Sequence, residues 1–227
     1  MRFEDLNWKD VESYLQRDDR LIMVLGACEQ HGYLSLLSDV KIPLALADAA
    51  CQKTGVLVAP ALNFGVSPYF LDYPGTLSLR ASTFLDLVED LIRSAYRQGF
   101  RRLLMLNGHG GNDAGRARLY ELATVFPDMK LSWYSWWLSN SVLGVAQQYQ
   151  LKPAHANWLE AFQFTRVSEL PQESKAPPSV PGLMGAEEAR QVYGDGSFGG
   201  PYEVDASIMT EVFEAALKDV LQILRFE

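Results

Sequence analysis

The sequence predicts an α/β fold in which a mostly parallel sheet is covered by helices on both faces. Two observations predict it. Short continuous apolar runs, ended by glycine or proline, read as strands buried on both sides. Between them lie longer stretches that are rich in alanine and leucine or amphipathic at helical spacing.

Leu21 to Gly26 (LIMVLG) is the first such run, Val56 to Ala59 (VLVA, closed by Pro60) the second, and Leu103 to Leu106 (LLML) the third. Lys130 to Tyr134 is a weaker fourth strand. A helix is expected over Lys41 to Lys53. Another runs from a Ser82 cap to Gln98, with Gly99 as its C-terminal stop. Asp113 is placed to open a helix through Val125. Ser207 to Arg225 reads as a long amphipathic closing helix capped by Asp205 or Ser207. Pro171 to Pro201 is rich in proline, glycine and serine. A connection of that length reads as a lid, an interface arm or a partly mobile loop within one domain spanning residues 1–227.

Composition narrows the function classes. A hydrophobic fraction of 48% and a charged fraction of 21% are those of a globular chain with a real core. A net charge of −8 argues against a nucleic-acid partner, which selects a basic face. Two cysteines, Cys28 and Cys51, make no disulfide framework, and Cys28 is expected to be buried packing. No secretory signal and no bilayer-length apolar stretch is visible, so the expected location is the cytoplasm, away from membranes.

The chemistry is concentrated in three histidines, the chain's whole supply. Imidazole is the commonest metal ligand and the usual acid or base near neutral pH. In Glu29-Gln30-His31 an extended backbone turns residues i and i+2 to one side, so Glu29 and His31 face one cleft and Gln30 faces away. Asp39 stands at the mouth of the next helix, where it reads either as a ligand reaching back or as an ordinary helix cap. Carboxylate and imidazole together suit zinc, manganese or iron(II). In Asn107-Gly108-His109-Gly110-Gly111-Asn112 the glycines let the backbone approach a ligand closely, and the N–H groups of Gly110 and Gly111 are candidates to hold an anionic oxygen. Both segments follow strands whose carboxyl ends share one rim, the usual ligand-binding edge of such sheets. His155 and Glu160, with Trp158 between them, read from local sequence alone as a partly exposed histidine beside an amphipathic segment.

Four segments in order resemble the creatininase (creatinine amidohydrolase) family: Glu29-Gln30-His31-Gly32, Tyr73-Pro74-Gly75-Thr76-Leu77-Ser78, Asn107 to Asn112, and His155-Ala156 with Glu160. The resemblance implies a three-layer α/β/α sandwich, assembly into homo-oligomers (hexamers in the family), and hydrolysis of a C–N bond in a small cyclic or linear amide at a centre of two divalent metals. Carried over, it makes Glu29, His31, Asp39, His109 and Glu160 the metal ligands, with Asp39 bridging, and His155 the acid/base residue. Zinc is expected, or manganese or iron.

The chain departs from the family pattern at several places. Tyr33-Leu34 replaces the usual Pro-His, and Asp39 stands one residue closer to the glutamate. Phe70 or Leu71 occupies a histidine position. Gly111 replaces a ligand glutamate, which leaves that role to Glu160. Trp158 replaces the first glutamate of the last block, a position the resemblance places towards substrate together with Gly110 and Gly111. These changes remove polar groups from the pocket, so creatinine itself is a poor candidate.

Two rival readings exist. A serine hydrolase needs a Gly-x-Ser-x-Gly elbow, and the nearest string, Asp195-Gly196-Ser197-Phe198-Gly199, lacks its first glycine. A non-catalytic oligomeric binding protein with a degraded site is the other.

Overall fold

The computed structural model describes residues 1–180 and 182–227. Four parallel strands, β1 (Arg20–Leu25), β2 (Leu57–Val58), β3 (Arg102–Asn107) and β4 (Lys130–Ser135), form one sheet in the order β2-β1-β3-β4. Seven α-helices accompany them among the described residues: α1 (Trp8–Leu15), α2 (Ser38–Thr54), α3 (Ala81–Gln98), α4 (Ala114–Val125), α5 (Asn140–Gln148), α6 (Ala186–Tyr193) and α7 (Ala206–Ile223).

Alternation along the strands builds two cores. Leu21, Met23, Leu25, Leu103 and Met105 face Tyr14 of α1, Phe84, Val88 and Ile92 of α3, and Leu119 and Leu122 of α4. Ile22, Val24, Leu104 and Leu106 face the opposite layer, where Ile42 and Leu46 of α2, Val142 of α5, and Val212 and Val220 of α7 pack. Strands apolar on both faces need cover on both, and the three-layer α/β/α arrangement supplies it.

The register sets the site. Leu25 pairs with Asn107, and Asn107 with Ser135, so β1, β3 and β4 end level with one another. The segments that follow them, carrying Glu29 and His31, His109, and Trp137, therefore emerge at one rim.

Several local expectations shift. β2 shrinks to two residues because Pro60 has no N–H to give; pairing with β1 resumes beyond it, where the Leu62 N–H donates to the Val24 carbonyl. Helix α2 begins at Ser38, three residues before the expected Lys41, and places Pro43 inside it. Proline cannot donate to the carbonyl four residues back, which is that of Asp39. Ser82 does not cap α3, which starts at Ala81 with no side-chain cap; Gly99 does end it in the left-handed conformation, at φ 113°. Asp113 ends a short 3-10 turn over Gly110–Asp113 and gives no side-chain cap to α4. Asp205 caps α7, accepting from the Ser207 N–H.

The 171–201 segment contains α6, so it is not an irregular arm throughout. Residue 181, within it, lies outside the described residues. Paired backbone bonds between Lys175 and Gly200 tie its two ends together, and Lys175 Nζ binds the Asp195 carboxylate. Cys28 is half-buried with Sγ 3.4 Å from the Gly75 carbonyl, whereas Cys51 is buried.

Candidate metal centre

Glu29, His31, Asp39 and His109 are buried at the rim, with His155 and Glu160 beside them at side-chain exposures of 14% and 12%. Their ligand atoms form three groups in which every atom lies within 4.8 Å of the others: Glu29, Asp39 and His109; His31, Asp39 and Glu160; and Glu29, His31 and His155. Asp39 belongs to the first two and faces a different histidine with each oxygen. Its Oδ1 lies 2.9 Å from His31 Nε2, and its Oδ2 lies 2.9 Å from His109 Nδ1.

Close backbone approach makes this meeting possible. A Cβ on Gly108 would lie 1.9 Å from the Asp39 carbonyl oxygen and 2.8 Å from Pro43 Cγ. The first turns of α2 thus lie directly on the loop after β3, and Asp39 reaches His109. At Gly111 a Cβ would lie 1.9 Å from the Val66 carbonyl oxygen and 2.5 Å from His109 Nε2. No side chain fits there on this backbone, so a carboxylate has to come from elsewhere. Glu160 brings one, with Oε1 3.9 Å from His31 Nε2 and Oε2 accepting from the Ala156 N–H at 2.6 Å.

Outer hydrogen bonds orient both inner histidines. The His31 Nδ1 lies 3.1 Å from the Glu29 carbonyl oxygen, and the His109 Nε2 lies 3.0 Å from that of Val66. A carbonyl can only accept, so each histidine donates outward and turns its other nitrogen towards the carboxylates. Ligand histidines use the same arrangement. Ser67 Oγ adds a contact to His109 Nε2 at 3.1 Å. Asn107 braces the loop by donating to the His109 carbonyl at 2.8 Å while its Oδ1 accepts the His109 N–H. Asn112 donates to the Gly26 carbonyl and accepts from the Val66 N–H. Thr76 Oγ1 accepts the Gln30 N–H at 3.0 Å, so the Pro-Gly-Thr segment holds the Glu29–His31 segment in place.

The electrostatics are those of a crowded anionic pocket. Burial pushes the His31 pKa down, but Asp39 and Glu160 outweigh it and raise it to about 10. His109 is likewise raised, by Glu29 and Asp39 against burial. Asp39 sits below the usual carboxylate range because both histidines overcome its burial. Glu160 goes the other way. Burial, with repulsion from Asp39 and Glu29, exceeds the pull of His31 and lifts it to about 7. His155 falls to about 4 through burial and the neighbouring His31 charge. Glu29 Oε2 and Asp39 Oδ2 are buried without a hydrogen-bond donor. Asp39 Oδ2 is close to His109 Nδ1 but not aligned to accept from it. Two buried carboxylates, each with one oxygen lacking a donor and one oxygen within 3.4 Å of His109 Nδ1, fit a divalent cation of the zinc, manganese or iron(II) kind.

A cavity of about 670 Å³ opens over this cluster. Gly110 and Gly111 line it; Trp158 does not. That tryptophan is fully buried in the core and donates through Nε1 to the Lys152 carbonyl, so the expectation that it faces substrate is corrected. Its bulky, mostly apolar ring gains more from burial than from the rim, and Trp137 lines the cavity instead. Phe70 lines it too and stacks on His155 with ring centres 4.8 Å apart. Gln30, turned away from the cluster, meets His155 from the other side, its amide nitrogen 2.9 Å and its carbonyl oxygen 3.1 Å from Nε2. Ser197 is fully buried and its hydroxyl accepts the Gly199 N–H, so it is no exposed nucleophile.

The roles of Ser67, Phe70 and Phe198 were not evident from sequence, because each depends on packing between distant segments. The asparagines flanking the His109 loop did carry a signal, since both belong to its motif.

Comparison with known proteins matches residues 4–224 to the creatininase family model, described as creatinine amidohydrolase. The chain is 36% identical over 115 residues to a creatinine amidohydrolase of Pseudomonas putida, covering 48% of this chain and 44% of that protein. It is 28% identical over 138 residues to a 3-dehydro-scyllo-inosose hydrolase of Thermotoga maritima, covering 58% and 44%. A mycofactocin precursor peptide peptidase of Mycolicibacterium smegmatis is 32% identical over 99 residues, covering 40% of each chain. The chain thus spans under half the length of these curated relatives. Among solved structures, a tryptophan-to-phenylalanine mutant creatininase superposes with a TM-score of 0.84 at 21% identity, covering 99% of this chain and 98% of that one. A manganese creatininase gives 0.77 at 24%, covering 99% and 97%. At these identities the structural likeness shows the fold.

Proposed function

Because the chain belongs to the creatinine amidohydrolase family, we propose that it is a metal-dependent hydrolase that cleaves a C–N bond in an amide. The observation that carries the reading is the pair of ligand groups sharing Asp39. In this reading Glu29, Asp39 and His109 hold one divalent cation, and His31, Asp39 and Glu160 hold a second. Zinc fits this donor set, as do manganese and iron(II). Cations bound there supply Lewis acidity to a carbonyl and to the attacking water.

The chain's own residues do the rest. His155 Nδ1 lies 3.7 Å from Glu29 Oε1, turned towards the cluster, while Nε2 rests against Gln30. The Gln30 carbonyl receives a hydrogen from Nε2, and the Gln30 amide gives one to it, so His155 stays hydrogen-bonded in either neutral tautomer. Burial holds the His155 pKa below the ordinary imidazole range, so its neutral ring is the form placed to accept a proton at the cluster and pass it to the leaving nitrogen. Gly110 and Gly111 present backbone to the substrate oxygen. Homo-oligomer assembly and a cytoplasmic location belong to the same reading. Among the described residues, no helix is long and apolar enough to cross a membrane.

The test is metal content and amide turnover on the same protein. About two tightly bound divalent ions per chain, with hydrolysis abolished by a chelator and restored by zinc or manganese, are expected. Protein that keeps full turnover with less than about one ion per chain sinks the two-metal reading. Full metal without hydrolysis of any amide points to the binding-protein alternative.

A further inference from the structure

We infer that the substrate is a neutral amide carrying a bulky aromatic or branched aliphatic group, an inference that rests on amide hydrolysis at this centre. The cavity wall argues for it. Every carboxylate and imidazole on the described lining belongs to the metal-type cluster, and no lysine or arginine is present there. The two side-chain hydroxyls on the lining are already occupied: Ser67 Oγ contacts His109, and the Tyr69 hydroxyl donates to that of Tyr193 at 2.8 Å. Beyond the cluster the wall is apolar, made chiefly by Phe70, Trp137, Leu138, Leu143 and Phe198. A charged or strongly hydroxylated substrate body would shed its water here and find few partners beyond the Trp137 indole N–H.

The apolar wall adjoins the reacting centre. Phe70 stacks on His155, and Phe198 lies against the same imidazole with ring centres 5.0 Å apart. An apolar group packed on these rings therefore sits next to the bond whose proton traffic His155 serves. At the cavity edge Leu138 and Leu143 are 56% and 38% exposed. Burying such side chains under a substrate removes apolar surface from water on both partners. Volume agrees, since about 670 Å³ lies within the roughly 300–1,000 Å³ that suits a ligand larger than one small polar ring.

The experiment compares three primary amides on the metal-loaded protein: phenylacetamide, acetamide and gluconamide, the last with a polar body of comparable length. Calorimetric binding of phenylacetamide is measured alongside. Phenylacetamide is expected to exceed the other two in kcat/KM by about 10- to 100-fold, the worth of burying one aromatic group. In Leu143→Asp, and separately in Leu138→Ser, the phenylacetamide-to-acetamide ratio falls by about threefold to tenfold, and phenylacetamide binding weakens by a similar factor. Both positions are partly exposed, so the fold tolerates the changes. Preference for acetamide or gluconamide, or failure of phenylacetamide to bind, overturns the inference and leaves amide hydrolysis standing. Binding of phenylacetamide that is sensitive to both variants, with no amide hydrolysed, keeps the apolar site and overturns the hydrolase reading.

Discussion

Asp39 Oδ2 and His109 Nδ1 lie 2.9 Å apart without the alignment of a hydrogen bond, while the other Asp39 oxygen is 2.9 Å from His31. A carboxylate placed between two imidazole nitrogens, each already oriented by a backbone carbonyl, is arranged for something between them. Asp39→Asn keeps the shape and removes the charge shared by both ligand groups. The expected outcome is loss of at least one bound ion per chain, and a fall in metal affinity above the roughly 10- to 100-fold typical of outer-shell changes. Metal analysis after dialysis checks it. A variant with unchanged metal content rules out Asp39 as the bridge.

His155 makes a different prediction because the proposed reading does not need it as a ligand. His155→Ala should retain bound metal while kcat falls by about 10²- to 10⁴-fold, the usual worth of a positioned acid or base. Gln30→Ala removes the amide contact to Nε2 but leaves the backbone carbonyl, so a smaller fall is expected. Loss of metal in His155→Ala would reassign this residue to the ligand group it forms with Glu29 and His31.

Two neighbouring glycines should respond unequally to the same methyl group. In Gly111→Ala the new carbon would meet the Val66 carbonyl at 1.9 Å, whereas at Gly110 the nearest atom is Trp137 Cζ2 at 4.0 Å. Overpacking against backbone costs about 2 kcal/mol, or roughly 4–8 °C in unfolding midpoint for a chain of this size. Gly110→Ala should shift the midpoint by less than about 2 °C. Thermal unfolding of the two variants decides, and equal shifts would contradict the described backbone.

The 171–201 segment should loosen in acid. Burial would raise the Asp195 carboxyl, but hydrogen bonds from Lys175, Tyr202 and the Ser197 N–H outweigh it and hold its pKa below the ordinary value. A carboxyl depressed in the folded state stabilises above its unfolded pKa, and that contribution is lost as pH falls through the folded one. Amide exchange at Lys175 and Gly200, corrected for intrinsic rates, should therefore rise below about pH 4. In Asp195→Asn it should already be fast at pH 6. A flat wild-type profile between pH 6 and pH 3 would remove Asp195 as the clasp.

How much of this was legible in the sequence follows from which contacts are local. The apolar runs at 21–26 and 103–106 needed only their own residues to read as buried strands, and their register then brought the Glu29 and His109 segments to one rim. Position 158 went wrong because the sequence does not say which tryptophan the core takes. Helix α2 began early because Pro43 is tolerated where Gly108 receives the freed Asp39 carbonyl, a contact between segments far apart in the chain. Helix α6 was hidden by the glycines and prolines around it.

Removing metal should reverse the response of stability to pH. With the carboxylates facing one another, Glu160 has a folded pKa of about 7 against an ordinary 4.5, because burial and its acidic neighbours favour the protonated form. A group raised in the folded state contributes stability that is complete below its unfolded pKa and lost as pH rises through its folded one. The window is therefore pH 4.5 to about 7 for Glu160. His31, raised from 6.5 to about 10, adds a second loss that continues up to pH 10. Chelated protein should unfold at a lower temperature at pH 8 than at pH 5.5. Metal-loaded protein should do the opposite, since protons compete with the cation for the same carboxylates and imidazoles. Unfolding midpoints at both pH values, with and without chelator, give the four numbers needed. Parallel pH dependence in the two forms would mean that the Glu29–His31–Asp39–His109–Glu160 cluster binds no cation that matters to the fold.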